Sequence, residues 1–149
     1  MLNVNILLEH PKAIMPFYAT DGAAAFDLFS VESEIIYPHQ SVIFNTGVKI
    51  EVPEDHVLLI FSRSGHGFKN DIRLSNCVGV IDHDYRGLIK VKLAYDRVAE
   101  PPYSDAFEVF EGDRIAQGII FPFPRVGFTI VSELSETARG ENGFGHTGR

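Results

Sequence analysis

Ile89-Lys90-Val91-Lys92-Leu93-Ala94-Tyr95 decides the fold class of this chain. Four large apolar residues alternate with Lys, Lys and Ala, so an extended backbone puts one face in a core and the other toward water. Working outward, the same alternation recurs. Leu2, Val4, Ile6 and Leu8 form an opening strand that Pro11 terminates. Ile35-Ile36 precede a turn at Pro38-His39-Gln40, and Val42 to Val52 is β-branched with a break at Asn45-Thr46-Gly47. Val57-Leu58-Leu59-Ile60-Phe61 is apolar throughout and short, as a central strand would be. Ile115 to Phe121 and Val126 to Val131 complete the set. Turn signals every eight to twelve residues between short strands predict an all-β, jelly-roll-like barrel or sandwich. Ser64 to Asn70 is the one expected helix. Arg97 to Phe110, with Pro101-Pro102, reads as a long loop.

The chain has 149 residues, 45% hydrophobic and 22% charged, as for a single globular domain. Its net charge of −7 argues against direct nucleic-acid binding, which needs a basic face. A single cysteine, Cys77, excludes an intrachain disulfide and fits a reducing compartment. Met1 to Glu9 lacks the basic leader of a signal peptide, and no apolar run is long enough to cross a membrane. A cytoplasmic location is expected. The apolar pattern fades after Leu134, dividing the chain into a barrel over 1–134 and a flexible arm over 135–149.

Just before the deciding strand stands Gly79-Val80-Ile81-Asp82-His83-Asp84-Tyr85-Arg86-Gly87. Read alone, it is either a site for a polar ligand with a flat part or a turn with solvated acids and a packed Tyr. Ser62-Arg63-Ser64-Gly65 opens the expected helix with a hydroxyl, a base and free N–H groups. That is an anion site, or simply a capped helix start. In Gly112-Asp113-Arg114-Ile115-Ala116-Gln117 the preferred reading of Asp113 and Arg114 is a structural ion pair. Gln117 is a ligand donor or an outward strand residue. Asp27, within Ala24-Ala25-Phe26-Asp27-Leu28, is a metal ligand or a hydrogen-bonded structural acid. The six histidines show no zinc spacing, so any metal is expected to be a hard, oxygen-bound ion such as Mg²⁺.

These four stretches, followed by Arg139-Gly140-Glu141-Asn142-Gly143-Phe144-Gly145-His146-Thr147-Gly148, resemble in order and spacing the five motifs of the homotrimeric dUTPase family. The resemblance implies hydrolysis of dUTP to dUMP and pyrophosphate with Mg²⁺, on a jelly-roll trimer with three shared sites. Such an enzyme keeps uracil out of DNA and supplies dUMP for dTMP synthesis. It implies that Asp82 activates the water attacking the α-phosphorus, and that Tyr85 packs under the deoxyribose and excludes a 2′-hydroxyl. Asn76, the Gly79-Val80-Ile81-Asp82 backbone and the Lys90 backbone would read uracil on a hairpin. Arg63, Ser64, Gly65 and Gln117 would hold phosphates, and Asp27 would stand near the metal through water. Arg139, Phe144, Gly145, His146 and Thr147 would close a neighbouring subunit's site, with Phe144 over the base.

Departures from the family pattern are Ala25, Ser62, Asn142 and His146, and they bear on arm closure more than on chemistry. Asp84 and Arg86 are expected in structural or interface roles. dCTP deaminases share the fold but carry a catalytic Glu where this chain has Lys92, so deamination is disfavoured. A nucleotide-driven regulatory binding protein is the remaining alternative, and any such partner is unspecified.

Overall fold

In the computed structural model, residues 2–98 and 105–143 are described. In chain order the elements are β1 (Asn5–Leu8), β2 (Phe26–Phe29), β3 (Glu34–Ile36), β4 (Ser41–Asn45), β5 (Val48–Glu51) and β6 (His56–Phe61). They continue with α1 (Ser64–Asn70), β7 (Ile72–Leu74), β8 (Val78–Ile81), β9 (Lys90–Tyr95), β10 (Phe107–Val109) and β11 (Arg114–Pro122). A four-stranded sheet runs β2-β11-β6-β8 and a three-stranded sheet runs β4-β9-β7, with β1-β5 and β10-β3 as two-stranded pairs. All pairings are antiparallel. This is an all-β, jelly-roll architecture with one short helix among the described residues.

The deciding strand behaves as its alternation requires. Ile89, Val91, Leu93 and Tyr95 are buried, while Lys90 and Lys92 face out. They pack into one core with Leu28, Ile36, Phe44, Leu58, Ile60, Ile72 and Ile115. β6 is central, between β11 and β8, and buries Leu58 and Ile60 completely. The break at Asn45-Thr46-Gly47 is a tight corner at which Gly47 takes a positive φ of 70°. A Cβ there would fall 2.8 Å from that of His10, so only glycine fits.

Three expectations change. The apolar segment 126–131 is not a strand in this chain. It has no ladder partner, and Phe128 and Ile130 are 94% and 100% exposed. The loop after Arg97 contains a strand, β10, whose pairing with β3 buries Val109. Finally, Gly79 to Gly87 is not a two-stranded hairpin, because β8 pairs with β6 while β9 pairs with β4 and β7. The stretch carries the chain from one sheet to the other.

Candidate active site

Register places one group of predicted residues in a row. Across the four-stranded sheet Asp27 pairs with Gln117, Gln117 with Phe61, and Phe61 with Val78. Paired residues on antiparallel strands share a face, and β6 runs directly from Phe61 into Ser62-Arg63-Ser64-Gly65. Asp27, Gln117 and the start of α1 therefore meet at one edge of the sheet. Asp27 is only 7% exposed because two guanidinium groups cover it. Arg63 Nε donates to its Oδ1 and Arg114 Nη1 to its Oδ2, both at 3.2 Å. Arg63 Nη1 also donates to the Arg114 carbonyl at 3.2 Å, which leaves further N–H donors for an anion.

The expected Asp113–Arg114 ion pair does not form. A bulge between Arg114 and Ala116 shifts β11 against β2, and Arg114 turns to Asp27. Asp113 instead accepts the Phe110 N–H through Oδ2 at 2.8 Å and closes its own turn. α1 begins at Ser64 with Arg63 as an extended N-cap that makes no side-chain cap. The hydroxyl of Ser62 serves another purpose, accepting the Leu74 N–H at 2.9 Å and tying β7 to the end of β6.

A second group lines a cavity of about 330 Å³ between the two sheets, where β8 and β9 diverge. Asn76, Gly79, Val80, Ile81 and Lys90 surround it, all of them predicted for uracil, together with Ser75 and Lys92, which were not. Cys77 holds the β7–β8 turn with a positive φ of 62°, and the Val78 N–H donates to the Asn76 carbonyl at 2.7 Å. Gly79 lies over Ile60, where a Cβ would come within 3.2 Å of the Ile60 Cβ.

Asp82 follows β8 and is exposed. The Tyr85 N–H donates to its carbonyl at 3.2 Å, which closes the turn. Tyr85 Oη donates to the Leu88 carbonyl at 3.0 Å, laying the ring over Gly87. A Cβ on Gly87 would fall 2.3 Å from Tyr85 Oη. Arg86 pins the turn by donating to the His83 carbonyl at 2.6 Å and to Glu51 at 3.1 Å, which fits the structural one of the two roles, structural or interface, expected of it.

Within one chain the Asp82–Tyr85 turn stands away from the Asp27–Gln117 row. Along the β6–β8 ladder, Val78 lies opposite Phe61 and Ile81 opposite Leu58. Asp82 is four residues past Val78, so at about 3.3 Å per residue the Asp82–Tyr85 turn starts roughly 13 Å along the strand direction from the Asp27–Gln117 row, and two strands across from β11. Arg139 is not at either group, its Nε donating to the Asn142 carbonyl in its own tail at 2.8 Å. Phe144, Gly145, His146 and Thr147 lie outside the described residues.

The described residues do not form a protein cage for Mg²⁺. They contain no group of three or more His, Cys, Asp or Glu placed to hold a metal. Both oxygens of Asp27 are already engaged by guanidinium groups. Hydrogen-bonded water is the most this carboxylate offers a cation.

Residues 11–148 match the dUTPase family model. A deoxyuridine 5′-triphosphate nucleotidohydrolase of Clostridium novyi is 44% identical over 97% of this chain and 99% of its own length. One from Helicobacter pylori is 38% identical over 99% and 97%. A mutant dUTPase of Staphylococcus bacteriophage 80alpha, solved with dUpNHpp, superposes over the whole of both chains with a TM-score of 0.92 at 25% identity. The chain belongs to the dUTPase family.

Arg114, Ser75 and Lys92 also stand at these two groups, where the sequence did not put them. Arg114 misled because its neighbour Asp113 offered a nearer partner than Asp27, 87 residues away. Lys92 carried a usable signal, its spacing of two from Lys90 on the same strand face.

Proposed function

We propose that this protein hydrolyses dUTP to dUMP and pyrophosphate by in-line attack of water on the α-phosphorus. One observation carries the reading. In a chain of this family, the cavity lined by Asn76, Gly79 to Ile81 and Lys90 opens beside a turn presenting Asp82 and Tyr85. Its strand-end N–H and C=O groups can match a pyrimidine edge, and a mismatched edge leaves buried partners unpaired. Asp82, as a carboxylate, accepts the proton of the attacking water. The new bond joins that oxygen to the α-phosphorus, the bond to the α–β bridging oxygen breaks, and pyrophosphate leaves. Tyr85, held by Leu88 and seated on Gly87, presents a fixed ring to the sugar. Mg²⁺ arrives with the triphosphate as part of the substrate. The spare donors of Arg63, the Ser64 and Gly65 N–H groups and Gln117 receive the phosphates.

The assembly belongs to the same proposal. Asp82 stands roughly 13 Å along the strand direction from the Asp27–Gln117 row at the rise of a strand, and 126–131 is exposed and unpaired. A homotrimer in which each site draws on neighbouring chains accounts for both, with 1–134 as barrel and 135–149 as an arm closing a neighbour's site. The test is turnover of dUTP, dCTP and UTP with Mg²⁺, for the parent protein and for Asp82→Asn. Only dUTP should yield monophosphate and pyrophosphate. The variant should lose about 10²–10⁴-fold in kcat while still binding dUTP. Ammonia from dCTP, or a fully active Asp82→Asn, overturns the reading.

A further inference from the structure

We propose that Lys92 is a specificity-determining residue of the base cavity, its ammonium donating to the 4-carbonyl of the pyrimidine with Ser75 beside it. The inference rests on the base-cavity assignment above and adds a side chain to a wall so far made of backbone. Lys90 and Lys92 stand two apart on β9, both exposed, and both line the cavity. None of its lining residues is acidic. Neither ammonium has an ion pair among the described residues, whereas Arg73 on the adjoining strand is paired with Asp96 and Arg86 with Glu51. The cavity wall thus carries two positive charges that no acidic side chain among the described residues neutralises.

Ser75 ties Lys92 to this wall. Its N–H donates to the Lys92 carbonyl at 2.8 Å. Its Oγ is buried and has no hydrogen-bond partner, a state a folded protein seldom leaves without a ligand or water to fill it. Ser75 and Lys92 also share the next polar cavity, lined by His39, Gln40, Arg73 and Asp96, so the pair forms the partition between the two.

The chemistry selects at one atom. A lysine ammonium donates three hydrogens and accepts none. Uracil presents a carbonyl at position 4, with one lone pair for a backbone donor and one for Lys92. Cytosine presents an amino group there, so donor meets donor and an ammonium is left unpaired. The Ser75 hydroxyl, able to donate or accept, fits beside either group and confers no selection of its own.

The experiment measures dUMP and dCMP binding by calorimetry, and dUTP and dCTP turnover, for the parent, Lys92→Met, Lys92→Arg and Ser75→Ala. Lys92→Met keeps the aliphatic stem and removes the donor. It should weaken dUMP binding about tenfold, the scale of one hydrogen bond to a charged group. dCMP binding should not weaken, and the turnover loss should fall on KM more than on kcat. Lys92→Arg should restore most of the preference, and Ser75→Ala should weaken both nucleotides alike. A dUMP-to-dCMP ratio unmoved by Lys92→Met, with the parent active on dUTP, overturns this inference and leaves the enzymatic reading standing. A parent inactive on dUTP whose dUMP preference still falls in Lys92→Met overturns the enzymatic reading and supports this one.

Discussion

Tyr85 and Gly87 show how a single missing atom shapes the turn after β8. The phenol donates to the Leu88 carbonyl, and its ring occupies the space where a side chain on Gly87 would sit. Gly87→Ala should therefore swing the ring away and loosen selection for deoxyribose. The expected outcome is a rise in UTP turnover relative to dUTP, read as a ratio of kcat/KM values, with Tm shifted by only a few degrees. His66 is perturbed in a different way. Burial, reinforced by the Arg63 charge and opposed by Asp113, holds its pKa below the usual value for histidine. Its Nδ1 is buried without a hydrogen-bond partner, and its ring packs edge-on against Phe107. The folded state keeps the imidazole neutral, so below about pH 6.5 the unfolded chain binds more protons. His66 thus lets stability fall as pH drops from there toward its folded pKa. Urea melts at pH 7.5 and 5.5 should show a smaller loss of stability in His66→Gln than in the parent.

At the scale of elements, β11 supplies the line along which the site is built. It is flanked by β2 and β6, and its bulge turns Arg114 onto Asp27 while Gln117 keeps register with Asp27 and Phe61. Gly118 allows this close fit, since a Cβ there would lie 2.6 Å from the Phe26 ring. Gly118→Ala should cost about 1–3 kcal/mol by overpacking, measured by urea denaturation, and should weaken phosphate binding through its neighbour Gln117. Ile89 to Tyr95 was legible from its strong alternation, and Ser64 to Asn70 as a short helix or helical turn without any such period. β10 was not legible, because Phe107–Val109 is three residues long and sits in a polar loop. Arg114 was assigned the wrong partner for a related reason. A bulge is a property of two strands together, and neither strand announces it alone.

For the whole molecule, the expectation that reads least well from one chain is the segment 126–131. Val126, Phe128 and Ile130 alternate like a strand, yet they face solvent throughout. A β-branched apolar stretch signals that it will pair, but not with which chain. Under the proposed trimer, Phe128→Asp with Ile130→Asp should leave the barrel folded by circular dichroism while the particle measured by light scattering shrinks to a monomer. Unchanged mass would assign this stretch no part in assembly. The five motifs themselves were legible because they are local. Their grouping into two clusters, one at the Asp27–Gln117 row and one around the Asn76–Tyr85 cavity, required the sheet register.

The gap between those clusters also has a bearing on heredity. If each centre takes its phosphate donors from one chain and its water-activating acid from another, a defect in either half is not confined to the polypeptide that bears it. A cell carrying one Asp82-defective allele and one Arg63-defective allele would still assemble some mixed particles with an intact centre, although neither allele suffices alone. By the same geometry, an allele defective in Asp82 alone would lower the output of a normal one only by its share of the pool, whereas an allele defective in both halves would lower it by more.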